Sequence, residues 1–267
     1  MPHVTVRDGI KIYYESHGDE SLPALVLIRG TGADGTRWLP QVRAYESEVR
    51  CVIFDGRGVG RSETTPPPYS VESMAGDTFD LMDALGIGVA HLSGSSLGGA
   101  IGLRMAADAP ERVLSLQTHS SWLGTHGFSE FSLGLLKAHL VSGGVEHYYA
   151  ATMPMLISPG FMSRNFEMLM NILDHMRANA ASYDGLLGQI EANLSYDMRG
   201  EAHKVSAPVL VTVGEVDVVL PVRCSEEIHE AIGGSDFHVF EGAGHLSGME
   251  SPDEFNRVTL EWLRARL

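Results

Sequence analysis

The stretch GVAHLSGSSLGGAIGLRMAADAP, residues 88–110, restricts the fold of this chain more than any other. It begins as a short apolar run with strand character. It then crosses a cluster of serines and glycines too brief to be a loop, and continues with helical spacing until Pro110 stops it. A strand that passes directly into a helix cannot meet its neighbour through a hairpin. The helix must pack back on the sheet and return the chain to a parallel strand.

The same unit recurs along the sequence. ALVLIRG (24–30), VRCVIFDGRG (49–58), RVLSLQTHS (112–120), PVLVTVGEVD (208–217) and SDFHVFEG (235–242) read as strands. TRWLPQVRAYES reads as a short helix, and VESMAGDTFDLMDALG as a longer one capped by Ser70 and closed at Gly86. HVTVRDGIKIYYESHG adds an initial hairpin around Asp8-Gly9. This order predicts the α/β class, a mostly parallel sheet with helices on both faces.

Residues 121–203 interrupt the rhythm with no convincing strand, and predict a helical insertion over the ends of the sheet. The 267 residues then divide into a core of 1–120 and 204–267 and a cap of 121–203. The insertion is rich in methionine: Met153, Met155, Met162, Met168, Met170, Met176 and Met198. Singly each reads as helix packing. As a group they would give an apolar ligand a pliable wall.

Net charge is −15, which argues against nucleic acid and anionic membranes as partners. Cys51 and Cys224 stand far apart in no metal-like spacing, as expected of reduced thiols. The first residues alternate like a strand pair and lack the apolar centre of a signal peptide. No apolar run approaches the roughly 20 residues of a membrane helix. The expectation is a cytoplasmic protein acting on a small molecule, with neither metal nor cofactor.

The turn at residues 94–98 has the form Gly-x-Ser-x-Gly, with Ser96 at its centre. At a tight strand-to-helix turn the central side chain is thrust out, and its neighbours must be small. Gly98, Gly99 and Gly102 also allow the helix to lie close against the sheet, and its N-terminus favours developing negative charge. A serine hydroxyl needs a base, and the base an orienting acid. His245 follows the last strand in a glycine-rich loop, and Asp217 follows the strand before it. All three therefore fall at the carboxyl edge of the sheet, in the chain order serine, acid, histidine. Glu215 is a rival acid earlier in the same turn. Oxyanion donors are expected from Leu97 N–H, just after the serine, and from Thr31 N–H in the loop RGTGADGTRW.

Together these residues resemble the α/β-hydrolase superfamily over essentially the whole chain. RGTG (29–32) resembles its oxyanion loop, DGRGVGRS (55–62) its turn after the fourth strand, and GSSLGG its nucleophile elbow. GEVDVVLP resembles its acid loop and GAGH its histidine loop. The resemblance implies an eight-stranded, mostly parallel sheet with a helical cap after the sixth strand. It also implies Ser96 as nucleophile, His245 as base and Asp217 as orienter, with Asp55 and Arg57 structural. A serine nucleophile excludes the subgroups that use aspartate, such as haloalkane dehalogenases and epoxide hydrolases.

Residues 140–162 are similar to the aminoacrylate hydrolases of pyrimidine breakdown. The layout also resembles enol-lactonases, small carboxylesterases and the hydrolase-like receptors for strigolactones and karrikins. The implied activity is hydrolysis of a small ester or lactone. The alternatives are cleavage of a small C–N bond, or ligand reception without steady turnover. Arg29, Trp122, Val218 and Leu246 are expected to touch the substrate. Arg29 stands where the family usually has histidine. It is either a surface or ion-paired arginine, or a cation that recognises a substrate carboxylate.

Overall fold

A computed structural model describes residues 2–178 and 181–267. Its strands are β1 (His3–Thr5), β2 (Lys11–His17), β3 (Ala24–Ile28), β4 (Arg50–Phe54), β5 (Ala90–Ser95), β6 (Val113–His119), β7 (Val209–Gly214) and β8 (Asp236–Phe240). They form one sheet in the order β1-β2-β4-β3-β5-β6-β7-β8. β1 pairs antiparallel with β2 and β2 antiparallel with β4, while all later neighbours run parallel. The predicted hairpin is there: Asp8 and Gly9 both have positive φ, at 62° and 75°.

Helices α1 (Leu39–Tyr45), α2 (Val71–Ala84) and α3 (Leu97–Asp108) cross between the early strands. α8 (Val222–Ala231), α9 (Ser247–Glu250) and α10 (Pro252–Arg264) follow the last two. The two faces separate by strand alternation. Leu25 and Leu27 point towards Trp38, Val42 and Leu263, whereas Val26 and Ile28 join Leu92, Ile101 and Leu103. One face is thus covered by α1 and α10 and the other by α2, α3 and α8. Ser70 caps α2 through a reciprocal pair of bonds with Ser73, as its position predicted.

Between β6 and β7 lie α4 (Phe128–Leu156), α5 (Pro159–Arg164), α6 (Phe166–Ala178) and α7 (Tyr183–Ser195). α4 is broken at Gly144, whose φ is 73°. Its buried side chains Leu140 and Tyr148, with Leu186 and Ile190 of α7, belong to the same apolar cluster as Val26 and Leu92 of the sheet. The four helices therefore share the main core and have no separate one. Among the described residues, no helix is long and apolar enough to cross a membrane.

Asp77 of α2 lies under the turn after β4 and takes two bonds from Arg57, at 2.5 and 2.6 Å. Burial outweighs this contact and raises the Asp77 carboxyl above its usual range. Removing the cation should leave a buried, unpaired carboxylate, so Arg57→Met should cost about 3–5 kcal/mol at neutral pH. The folded form holds the Asp77 proton more tightly than the unfolded chain, so that loss should shrink towards pH 5 and grow towards pH 8. Urea denaturation at both pH values checks this; equal losses would show that Asp77 charge is not the cause.

Candidate active site

Ser96 caps α3 in a conformation that is strained for a residue with a side chain, φ 55° and ψ −119°. The strain is held from both sides. Ser96 N–H donates to His119 O at 2.8 Å, and Ser96 O accepts from Gly99 N–H at 2.8 Å and Ser121 Oγ at 3.0 Å. A Cβ on Gly98 would run into Ile28 O, and one on Gly94 into Gly98 O. Only glycine allows this approach of helix to sheet. Ser93 is engaged elsewhere, with its hydroxyl bonded to His119 Nε2 at 2.9 Å inside the core.

His245 and Asp217 meet as their positions predicted, with Nδ1 to Oδ2 at 2.8 Å and both side chains buried. The other carboxylate oxygen accepts from Val219 N–H and Leu220 N–H, each at 2.9 Å. A carboxylate only accepts, so Nδ1 carries the proton and Nε2 is free to take one. Glu215 is drawn off by Gly242 N–H at 2.8 Å and does not compete. Ser96 and His245 line the same cavity without a hydrogen bond between them.

The loop after β3 hangs on α4 and α7. Asn193 Nδ2 of α7 donates to Thr31 Oγ1 at 2.8 Å, and Gly32 N–H donates to Gln189 Oε1 at 2.8 Å. Tyr149 of α4 donates its hydroxyl to Gly32 O at 3.2 Å, while Gln189 Nε2 reaches Arg57 O at 3.0 Å. The histidine loop is held similarly: Leu246 N–H donates to Leu156 O at 3.2 Å, and Glu250 accepts from both Gly244 N–H and Ser158 N–H. Thr31 and Leu97 thus flank Ser96. Leu97 opens α3, so its N–H has no partner one turn earlier in the helix.

Sequence reasoning missed Tyr149, Gln189 and Asn193. The usable signal was two amides four residues apart on one helix, which share a face and need partners if buried.

These elements enclose a cavity of about 480 Å³. Leu133, Leu136, Tyr148, Met153, Ile172 and Met176 form its apolar wall from the cap side. Of the residues expected to touch the substrate, Arg29 and Leu246 line it. Trp122 does not: its indole is buried against Tyr196, with Nε1 bonded to Thr125 at 2.9 Å. Val218 is 52% exposed to solvent and its neighbour Val219 lines the cavity instead, because the turn around Asp217 reverses the side chains. Of the methionine group only Met153 and Met176 reach the cavity. Met168 and Met170 are exposed, and Met198 is in the core.

Arg29 is neither a surface nor an ion-paired side chain. Its guanidinium lies over Trp38 at 4.8 Å from the ring centre, and no carboxylate among the described residues pairs with it. Burial, with Arg37 adding repulsion, lowers its pKa to about 10, so it stays charged at neutral pH. His119 is a second histidine on the cavity wall, but burial and the Arg29 charge push it down to about 3. With its nitrogens held by Ser93 and Thr212, it is no rival base.

Loss of the loop supports should displace Thr31 without touching Ser96. We expect Asn193→Leu and Gln189→Leu each to lower kcat/KM by roughly 10- to 100-fold, mainly through kcat, since small misplacements of oriented groups are that costly. Steady-state kinetics checks this, beside the rate of covalent labelling of Ser96.

A family model described as alpha/beta hydrolase fold matches residues 23–252. A protein of Azorhizobium caulinodans, provisionally named carbamate hydrolase RutD, is 30% identical over 260 residues, covering 97% of each chain. Among solved structures, the enol-lactonase from Burkholderia xenovorans LB400 has a TM-score of 0.91 and 27% identity, covering 98% of this chain and 100% of that one. A malate-bound thermophilic esterase from Thermogutta terrifontis has a TM-score of 0.84 and 25% identity, covering 99% of this chain and 98% of its own. The sheet order, the strained serine and this match over most of the sequence agree: the chain belongs to the α/β-hydrolase family.

Proposed function

We propose that this chain is a serine hydrolase that cleaves a small carboxylic ester or lactone with Ser96, His245 and Asp217. The observation that carries the reading is the His245–Asp217 bond of 2.8 Å on the wall of the cavity onto which strained Ser96 opens. His245 Nε2 takes the Ser96 proton as Oγ bonds to the substrate carbonyl carbon. The carbonyl oxygen becomes an oxyanion, held by Thr31 N–H and Leu97 N–H, and one such donor is typically worth about 3 kcal/mol. His245 returns the proton to the leaving oxygen as the C–O bond breaks, leaving an acyl group on Ser96. Water attacks that group, gives a proton to His245, and the acid leaves as Ser96 Oγ takes the proton back.

Residues 121–203 act here as a cap on a core of 1–120 and 204–267, shaping the pocket for a small substrate. The free thiols of Cys51 and Cys224 suit a reducing cytoplasm. A second reading is C–N cleavage of a carbamate by the same three residues. It is supported by the name of the Azorhizobium relative, and it differs only in His245 protonating nitrogen.

On this reading Ser96→Ala and His245→Ala should each lower turnover by about 10⁴- to 10⁶-fold. Asp217→Asn should cost about 10⁴-fold, because the base remains but loses its tautomer. A panel of matched esters, lactones and carbamates, with fluorophosphonate labelling mapped by peptide mass, tests the assignment. Retention of a tenth of wild-type turnover in Ser96→Ala, or label on another residue, rejects it. A single burst with no steady state points instead to a ligand receptor.

A further inference from the structure

We infer that Arg29, with Arg37 beside it, forms an anion subsite in the cavity, and that the molecule cleaved there carries a carboxylate in addition to its scissile bond. The inference leans on the hydrolytic reading only for the reacting end of that molecule; the subsite itself rests on geometry.

The chain has 34 acidic side chains against 19 lysines and arginines, so carboxylates are plentiful. Other enclosed arginines take them. Arg57 has Asp77, and Arg104 has Asp108 and Glu201. Arg29 and Arg37 both line the cavity, yet neither makes an ion pair among the described residues. They also repel each other, as the effect of Arg37 on Arg29 shows. The acid that favours the Arg29 charge, Asp34, makes no ion pair with it and spends one oxygen on the N–H and hydroxyl of Thr36. Taking a guanidinium out of water costs several kcal/mol unless an anion and good hydrogen bonds compensate. A desolvated Arg29 and a second unpaired cation, Arg37, in one pocket make sense if the anion arrives with the ligand.

The orientation fits. Arg29 Nε is buried without a partner, and the guanidinium rests on the Trp38 indole. Its two terminal nitrogens have no hydrogen-bond partner among the described residues and are not shut away from the cavity as Nε is. That leaves the end of the planar fork to meet a carboxylate edge-on. His119, which also lines the cavity, is neutral with both nitrogens engaged, and supplies no competing charge. The subsite also borders the reacting centre. Arg29 precedes Gly30, where a Cβ would stand 3.0 Å from Ser96 Cβ. A carboxylate on Arg29 and a carbonyl at Ser96 therefore belong to one short molecule, whose apolar part faces Leu133 and Met153.

The test compares 4-nitrophenyl hemisuccinate, with its carboxylate on the acyl side, and 3-carboxyphenyl butyrate, with it on the alcohol side, against neutral 4-nitrophenyl butyrate. We expect the acidic-to-neutral ratio of kcat/KM to fall by at least about 30-fold in Arg29→Met for one of the two acidic esters, as lost charge-assisted bonds imply. Arg37→Met should lower the same ratio less. Arg29→Lys, which keeps the charge but not the fork, should lie between wild type and Arg29→Met and serves if the methionine variant does not fold. A binding arm is independent of turnover: monomethyl succinate should bind Ser96→Ala protein by calorimetry, and at least about 30-fold more weakly after Arg29→Met is added, with Arg29→Lys between the two. Binding that depends on Arg29 sustains the subsite even if no ester is turned over, in which case only the hydrolytic reading fails. Ratios that fall less than threefold for both acidic esters, or binding of monomethyl succinate indifferent to Arg29 or absent, overturn the proposal.

Discussion

The distance at which α3 can approach the sheet is the constraint from which the rest of this site follows. Gly98 sets it, because any side chain there would collide with the carbonyl of Ile28 at the end of β3. The approach forces the chain to turn at Ser96 within one residue, in a region of backbone space that side chains avoid. It also brings the N-terminus of α3 against the loop that follows β3. Ser96, a helix end that favours negative charge, and the backbone of the loop after β3 are thereby placed together by a packing contact. The same device recurs across the sheet. Gly214 at the end of β7 lies against the carbonyls of Ala243 and Gly244, so the acid loop and the histidine loop are pressed together.

The loops so placed are not rigid by themselves, and the helices between β6 and β7 complete their support. Tyr149, Gln189 and Asn193 hold Thr31 and Gly32, while Leu156 and Ser158 meet the histidine loop. Gln189 and Asn193 are 2% and 1% exposed, so their bonds form in a medium of low dielectric where an unmade bond is costly. A cap that shared no core with the sheet could swing away. This one is continuous with it through Leu186 and Ile190, so the helix that carries Gln189 and Asn193 is packed into the core of the sheet.

Electrostatics divide the molecule into an acidic surface and a cationic pocket. With a net charge of −15, the field outside the protein repels small anions and slows their approach. Inside, Arg29 and Arg37 line the cavity with no acid pairing them among the described residues. The outer field discourages anions in general; with the subsite proposed at Arg29, the inner one would select those small enough, and apolar enough elsewhere, to reach it.

The α/β class, the hairpin, the capped α2 and the three residues at strand ends were legible in the sequence, because each depends on a few neighbouring residues. Alternation, a cap or a glycine-rich turn is written where it acts. Ser96, Asp217 and His245 are distant in sequence, yet each is marked by its own strand end, and parallel strands bring such ends to one edge. Trp122 and Val218 were misread because composition says nothing of which way a side chain faces outside regular strands. Gln189 and Asn193 were missed because their partners lie more than a hundred residues away. Arg29 shows the division most clearly. The sequence alone determined that a cation stands beside the oxyanion loop. Only the tertiary structure decided that no carboxylate among the described residues comes to meet it, because pairing is a matter of which distant surfaces the fold brings within a few ångströms.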